Sequence, residues 1–177
     1  MKKQIIIILV FPIFLFSQKY KVFDSNVIFF SYALVEDIKA ESKQLQGVID
    51  FESQEFFFRI PINSFIFPSS LMQQHFNESY MESNQFPLSV FKGKFQDPLD
   101  KSKKIHILNT DGKLLIHGVE KEVSILTNLA IQDEKIIFLS KFFIQLKDFN
   151  IKIPKIFINN ISEEIEIVVK GTLMIIE

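Results

Sequence analysis

Short runs of alternating apolar and polar residues, separated by turn-forming residues, cover most of the chain and leave few folds open to it. The runs at 55–62, 88–96 and 135–148 each place large apolar side chains at nearly every second position. This two-residue period is that of a β-strand with one buried face. Eight or nine such runs at this spacing predict an all-β barrel or sandwich. Closure into a barrel also removes the exposed edges that long apolar strands would otherwise present.

Residues 64–95 contain the one stretch that reads as a helix. Ser70 followed by Gln73 has the spacing of a capping box, which predicts a helix over about 70–82. A helical period places large side chains and one imidazole on a single face, against glutamine and asparagine on the other. That face comprises Leu71, Met72, His75, Phe76 and Tyr80. We therefore predict one amphipathic helix that packs near one end of the sheet.

Three segments bear on where the strands are interrupted. Turn-forming residues at 24–26 predict a hairpin between two short strands. The polar segment 36–46 predicts a connection, with a short helix as the alternative. Asp111 and Gly112 fit either a hairpin tip or a bend within one long strand.

The N-terminus has the pattern of a secretory signal. Lys2 and Lys3 precede an apolar run at 5–16, and the small residue Ser17 follows it. The run is shorter than the roughly 20 residues that a spanning helix needs, and it contains a proline. We predict a signal peptide at 1–17 and a single domain at 18–177, in the periplasm or outside the cell. An uncleaved anchor is the alternative, and after cleavage no stable membrane span is expected.

Composition excludes several partners and chemistries. The chain has no cysteine, which rules out disulfides, a thiol nucleophile and a lipid-attachment cysteine. Without Lys2 and Lys3, its 20 basic residues fall to 18 against 21 acidic ones, a net charge of −3. Nucleic acid is therefore not an expected partner.

Apolar stripes dominate the candidate binding residues. The chain contains 21 phenylalanines and no tryptophan, and such stripes either pack a core or line a cavity. From the residues alone, the packed core is the simpler interpretation. The residues that would line a cavity, if one exists, are Phe56, Phe58, Ile60, Met72, Phe76, Tyr80, Phe138 and Phe142.

The histidines do not form a recognisable catalytic or metal site. No two of His75, His106 and His117 share a ligand spacing, and no serine lies in a Gly-x-Ser-x-Gly elbow. We expect no metal, no cofactor and no enzymatic activity. His75 and His117 are instead candidate polar anchors for the head group of a ligand, or structural histidines satisfied by their neighbours.

Three stretches of sequence resemble the YceI-like family of small secreted barrels. They are SSLMQQHFNESYMESNQFPLSVFKGKF, then GKLLIHGVEKEV, then LKDFNIKIP, in family order over nearly all of the mature chain. Leu115 and Glu120 depart from the family pattern, in which threonine is common at both positions. The resemblance implies a lipocalin-like antiparallel barrel of about eight strands, closed or nearly so, with a helix near one end. It also implies that Gly112 is a bend in one strand.

The resemblance favours the interpretation that the apolar stripes line a cavity. It implies an interior able to hold a polyisoprenoid or another long-chain fatty amphiphile, and hence a binding or carrier protein. Two alternatives stay open. The protein could be an accessory enzyme of redox or lipid metabolism that uses His75 or His117, or a non-binding envelope stress protein. A homodimer is a further open possibility.

Overall fold

A computed structural model describes residues 19–32, 37–100, 102–154 and 160–176. The predicted signal peptide at 1–17 lies outside these residues. Within them the alternating runs form nine antiparallel strands. The strands are β1 Lys19–Ser31, β2 Ile38–Ser42, β3 Gln46–Asp50, β4 Glu55–Pro61, β5 Leu88–Phe95, β6 Ile105–Ile116, β7 Val119–Gln132, β8 Lys135–Gln145 and β9 Glu164–Ile176.

The strands close into a barrel because β1 pairs with β9 along almost its whole length. On its other side β1 pairs with β3 near its start and with β2 near its end. The two short strands β2 and β3 therefore occupy one position in the wall, which gives a closed barrel of eight positions. This confirms the predicted lipocalin-like antiparallel barrel.

The wall is irregular beside β2. In the described residues β2 does not pair with β4; Glu41 of β2 instead exchanges two backbone hydrogen bonds with Ile66, at N···O distances of 2.8 and 3.2 Å. The buried side chains of Phe65 and Phe67 fill the space between these strands. The segment 62–69 thus completes the wall with side chains where paired backbone is missing.

Two predicted interruptions are wrong. The turn expected at 24–26 does not form: β1 runs through these residues and only shifts its pairing between Val22 and Asp24. A bulge absorbs the extra residue without ending the strand. The connection expected at 36–46 contains β2, because its few apolar residues need face only one side of the wall.

The prediction that Gly112 is a bend is confirmed. Gly112 lies within β6 and pairs with Gly93 of β5. A Cβ atom on Gly112 would collide with the carbonyl oxygen of Lys92. The missing side chains therefore let the two strands curve together, and the β6–β7 hairpin turns later, at His117 and Gly118, which both have positive φ angles.

The predicted helix is present as α1, Ser70–His75, continued by a π-helical turn, Phe76–Tyr80. Its cap is one residue earlier than expected. Ser69 has the extended backbone of an N-cap, and its hydroxyl accepts a hydrogen bond from the Met72 amide at 3.4 Å. Ser70 is already helical, so the predicted capping box with Gln73 is wrong.

Candidate functional site

A cavity of about 510 Å³ lies inside the barrel. Its volume is typical of small-molecule binding sites. The side chains that line it come from the strands, from the segment 62–69 and from α1 with its π-helical turn. All eight predicted apolar residues are among them: Phe56, Phe58, Ile60, Met72, Phe76, Tyr80, Phe138 and Phe142.

The alternation of β4 and β8 places their phenylalanines inside. On β4, Phe56 and Ile60 are buried while Phe57 and Arg59 face solvent. Because β4 and β8 lie on opposite sides of the barrel, Phe58 and Phe138 meet across it, with ring centroids 6.0 Å apart. This contact narrows the cavity towards the end at which β1 begins.

The α1 segment covers the opposite end. Phe76 lies in a cluster of rings, with centroids 4.9 Å from Phe67, 5.5 Å from Phe29 and 5.9 Å from Phe65. No residue of Ser70–Tyr80 is fully buried. Leu71, predicted on the inner face, is 59% exposed and lies at the rim. The inner face of α1 thus borders a cavity and does not seal a packed core.

The two predicted polar anchors lie in different places. His75 lines the cavity together with Tyr80. Burial raises the pKa of the Tyr80 hydroxyl, which therefore stays protonated at neutral pH. The third histidine, His106, lies near the start of β6. Its Nε2 is 3.1 Å from the carbonyl oxygen of Lys103.

His117 does not line the cavity. It lies in the β6–β7 turn with a positive φ angle, and its role as a ligand anchor stays a prediction. Its Nδ1 lies 3.1 Å from the carbonyl oxygen of Phe149, and its Nε2 lies 3.0 Å from a carboxylate oxygen of Glu82. The ring also packs on Phe86, with centroids 4.4 Å apart. His117 therefore joins the chain that follows the π-helical turn to two other segments at this end of the barrel.

Three hydroxyl groups that the sequence did not single out also face the cavity. Thr110, Thr127 and Ser140 lie on the adjacent strands β6, β7 and β8. The Thr110 hydroxyl donates to the Ile125 carbonyl at 2.6 Å, and the Thr127 and Ser140 hydroxyls are 2.8 Å apart. The two-residue period of each strand predicts that its hydroxyl faces inwards. It does not predict that the three hydroxyls lie close together.

The described residues contain no group of three or more histidines, aspartates or glutamates that could hold a metal ion. In the same parts of the chain no helix is long and apolar enough to cross a membrane.

Known proteins with a similar sequence pattern or a similar fold are found by two comparisons. The family model described as YceI-like domain matches residues 22–173. A search of curated proteins finds no significant match. Among solved structures, a polyisoprenoid binding domain from Saccharophagus degradans superposes with a TM-score of 0.76 at 15% identity, over 89% of this chain and 98% of that one.

Two further solved structures have the same fold. BcnA from Burkholderia cenocepacia superposes with a TM-score of 0.70 at 16% identity, over 84% of this chain and 95% of its own. A YceI protein from Campylobacter jejuni gives a TM-score of 0.67 at 16% identity, over 100% and 99% of the two chains. These identities are low, so the likeness is one of fold.

Proposed function

Because the chain belongs to the YceI-like domain family, we propose that its barrel binds a polyisoprenoid or another long-chain amphiphile and carries it. The observation that carries this proposal is the cavity of about 510 Å³ with its largely apolar lining. Burying a ligand's hydrocarbon surface there stabilises the complex by about 25 cal/mol per Å². Such binding needs no catalytic group, and we accordingly propose a non-enzymatic carrier.

The ligand-contacting residues of this proposal are the eight apolar residues and His75. The half-buried Met72, Phe76 and Tyr80 border the cavity on the α1 side, where no residue of Ser70–Tyr80 is fully buried. We place the entrance there, with His75 beside the polar end of the ligand. The apolar run at 5–16 supports action in the periplasm or outside the cell.

Two substitutions on β9 test the proposal with a matched control. Val169 lines the cavity, whereas the adjacent Val168 alternates to the outer face, and both are half-buried. Val169→Trp should fill the cavity and remove the bound amphiphile that native mass spectrometry and lipid extraction detect on the purified protein. Val168→Trp should retain it.

Absence of any amphiphile on the wild-type protein, even after incubation with long-chain prenyl alcohols, would overturn the proposal. So would equal ligand retention by the two tryptophan variants. Self-association stays a prediction, and the same native spectra report the number of subunits.

A further inference from the structure

The hydroxyl groups of Thr110, Thr127 and Ser140 interrupt an otherwise apolar region of the inner wall. On β8 Ser140 lies between Phe138 and Phe142, and on β7 Thr127 lies between Ile125 and Leu129. The side chains on both sides of the hydroxyls along the barrel are thus apolar. Thr110 and Ser140 are each only 8% exposed. This is the middle of the barrel wall and not its rim.

The hydrogen bonds among these three hydroxyl groups leave one O–H proton without an acceptor. Thr110 uses its proton on the Ile125 carbonyl, while Thr127 and Ser140 share a single hydrogen bond in which either can be the donor. Two hydroxyls carry two protons, and one bond between them uses one. In the described residues, no protein acceptor takes the remaining proton of the Thr127 and Ser140 pair.

The remaining donor constrains what the cavity can hold well. A hydrocarbon chain lying against this wall would cover the O–H group without offering it an acceptor, and a buried unpaired donor costs free energy. A ligand oxygen at the same depth would accept the hydrogen bond. Polar groups of this kind fix orientation in otherwise apolar sites.

Building on the proposed function, we propose that the ligand of this cavity carries an acceptor oxygen, as a carbonyl, ether or hydroxyl, that hydrogen-bonds to Thr127 and Ser140 in the middle of the barrel. The ligand is then an oxygenated amphiphile held by a polar contact deep inside, in addition to any contact at His75. Apolar side chains on either side of the hydroxyls contact the hydrocarbon flanking that oxygen.

Two probes of equal length separate this inference from the proposed function. Hexadecane and a hexadecanone with its carbonyl at mid-chain each compete with the fluorescent probe N-phenylnaphthylamine for the wild-type protein. We expect the ketone to bind about ten-fold more tightly, the effect of one hydrogen bond. The Thr127→Val/Ser140→Ala variant keeps the size of both side chains closely and should bind the two probes equally.

Ser124→Ala is the matched control, because Ser124 lies on β7 but faces outwards and bonds to Asn109. It should keep the ten-fold preference. Equal binding of alkane and ketone to the wild type, or an unchanged preference in the double variant, would overturn the inference and leave the proposed function standing. Failure of both probes to bind would overturn both.

A spectroscopic measurement covers the case in which the double variant does not fold. The carbonyl stretch of isotope-labelled hexadecanone bound to the wild type should lie at lower frequency than in hexane, because the carbonyl accepts a hydrogen bond. The single variant Ser140→Ala should move it back towards the hexane value. A stretch equal to that in hexane would contradict the proposed contact.

Discussion

The two ends of the barrel use similar residues for different purposes. At the end where β1 begins, Tyr20, Phe51 and Phe95 are all buried and their rings meet in series, with centroid distances of 5.3 and 5.5 Å. At the α1 end, Phe29, Phe76 and Tyr80 are only half-buried around the cavity. We refer to these as the closed end and the helical end.

The difference comes from what covers each end. At the closed end, side chains from several strands and from the turn after β3 pack together, and Phe51 and Phe95 border the cavity from this side. At the helical end, α1 and its π-helical turn are joined by the segment 146–151, whose Phe149 and Ile151 are buried. Residue type therefore does not decide how deeply an aromatic side chain beside the cavity is buried. We expect the closed end to determine global stability and the helical end to determine ligand exchange.

The largest expected effect is at the closed end. Leu173 on β9 is 0% exposed and does not line the cavity. Leu173→Ala should lower the free energy of unfolding by about 3 kcal/mol, because it removes buried methyl groups and leaves a void. Urea unfolding measures this. Ile175→Ala, two residues further along the same strand and partly exposed, is the control and should cost under about 1 kcal/mol. Equal losses would contradict the expectation that burial at Leu173 sets the size of the effect.

A smaller effect is expected from the hydrogen bonds of His117. Its side chain is 9% exposed, and His117→Ala removes its contacts to Phe149 and Glu82. We expect a loss of about 1 to 2 kcal/mol, since the buried contact to the carbonyl is not replaced. Amide hydrogen exchange should accelerate at 76–86 and 146–151 and stay unchanged in the strands of the closed end.

Glu82→Gln provides the control for this prediction. Glu82 is half exposed, so its charge contributes little, and the amide oxygen can still contact the ring. Its effect should stay under about 1 kcal/mol. Uniform acceleration of exchange around the barrel in His117→Ala would show that the two ends are not independent.

The smallest effect concerns the start of α1. Ser69→Ala removes the N-cap hydrogen bond and should lower stability by about 0.5 to 1 kcal/mol, in the lower part of the usual range because the bond is 3.4 Å long. Thermal unfolding followed by circular dichroism measures this. Ser70→Ala places alanine inside the helix and should cost nothing measurable. A larger loss of stability from Ser70→Ala than from Ser69→Ala would show that Ser70 is the N-cap, as the sequence suggested.

The alternation of apolar and polar residues made it possible to predict from the sequence which side chains of most strands face the interior. Phe56, Phe58 and Ile60 line the cavity because a strand has only two faces and the other face of β4 carries Phe57 and Arg59. The local sequence did not decide between a hairpin tip and a bend at Gly112, since tight turns and curved strands both favour glycine. The family resemblance resolved it because it supplied the length of the strand.

Long-range placement was not predictable. Asp24 and Asn26 have turn chemistry, yet the pairing of β1 with β9 extends the strand through them, since tertiary pairing outweighs local preference. His117 was a candidate polar anchor at a strand end, and its contacts to Glu82 and Phe149, 35 and 32 residues away in sequence, could not be read from its neighbours. The meeting of Thr127 with Ser140 depends on the register of β7 and β8, which no single strand encodes.

The irregular panel at 62–69 is joined to β2 by few backbone hydrogen bonds. Between β6 and β7, by contrast, separating the strands would break a ladder of backbone hydrogen bonds that runs from Ile105 with Ala130 to Ile116 with Val119. Beside β2, Glu41 and Ile66 share two such bonds, and the rest of the contact is aromatic side chains. Separating this panel from β2 would therefore break these two backbone hydrogen bonds, and the rest of the loss would be of apolar contact.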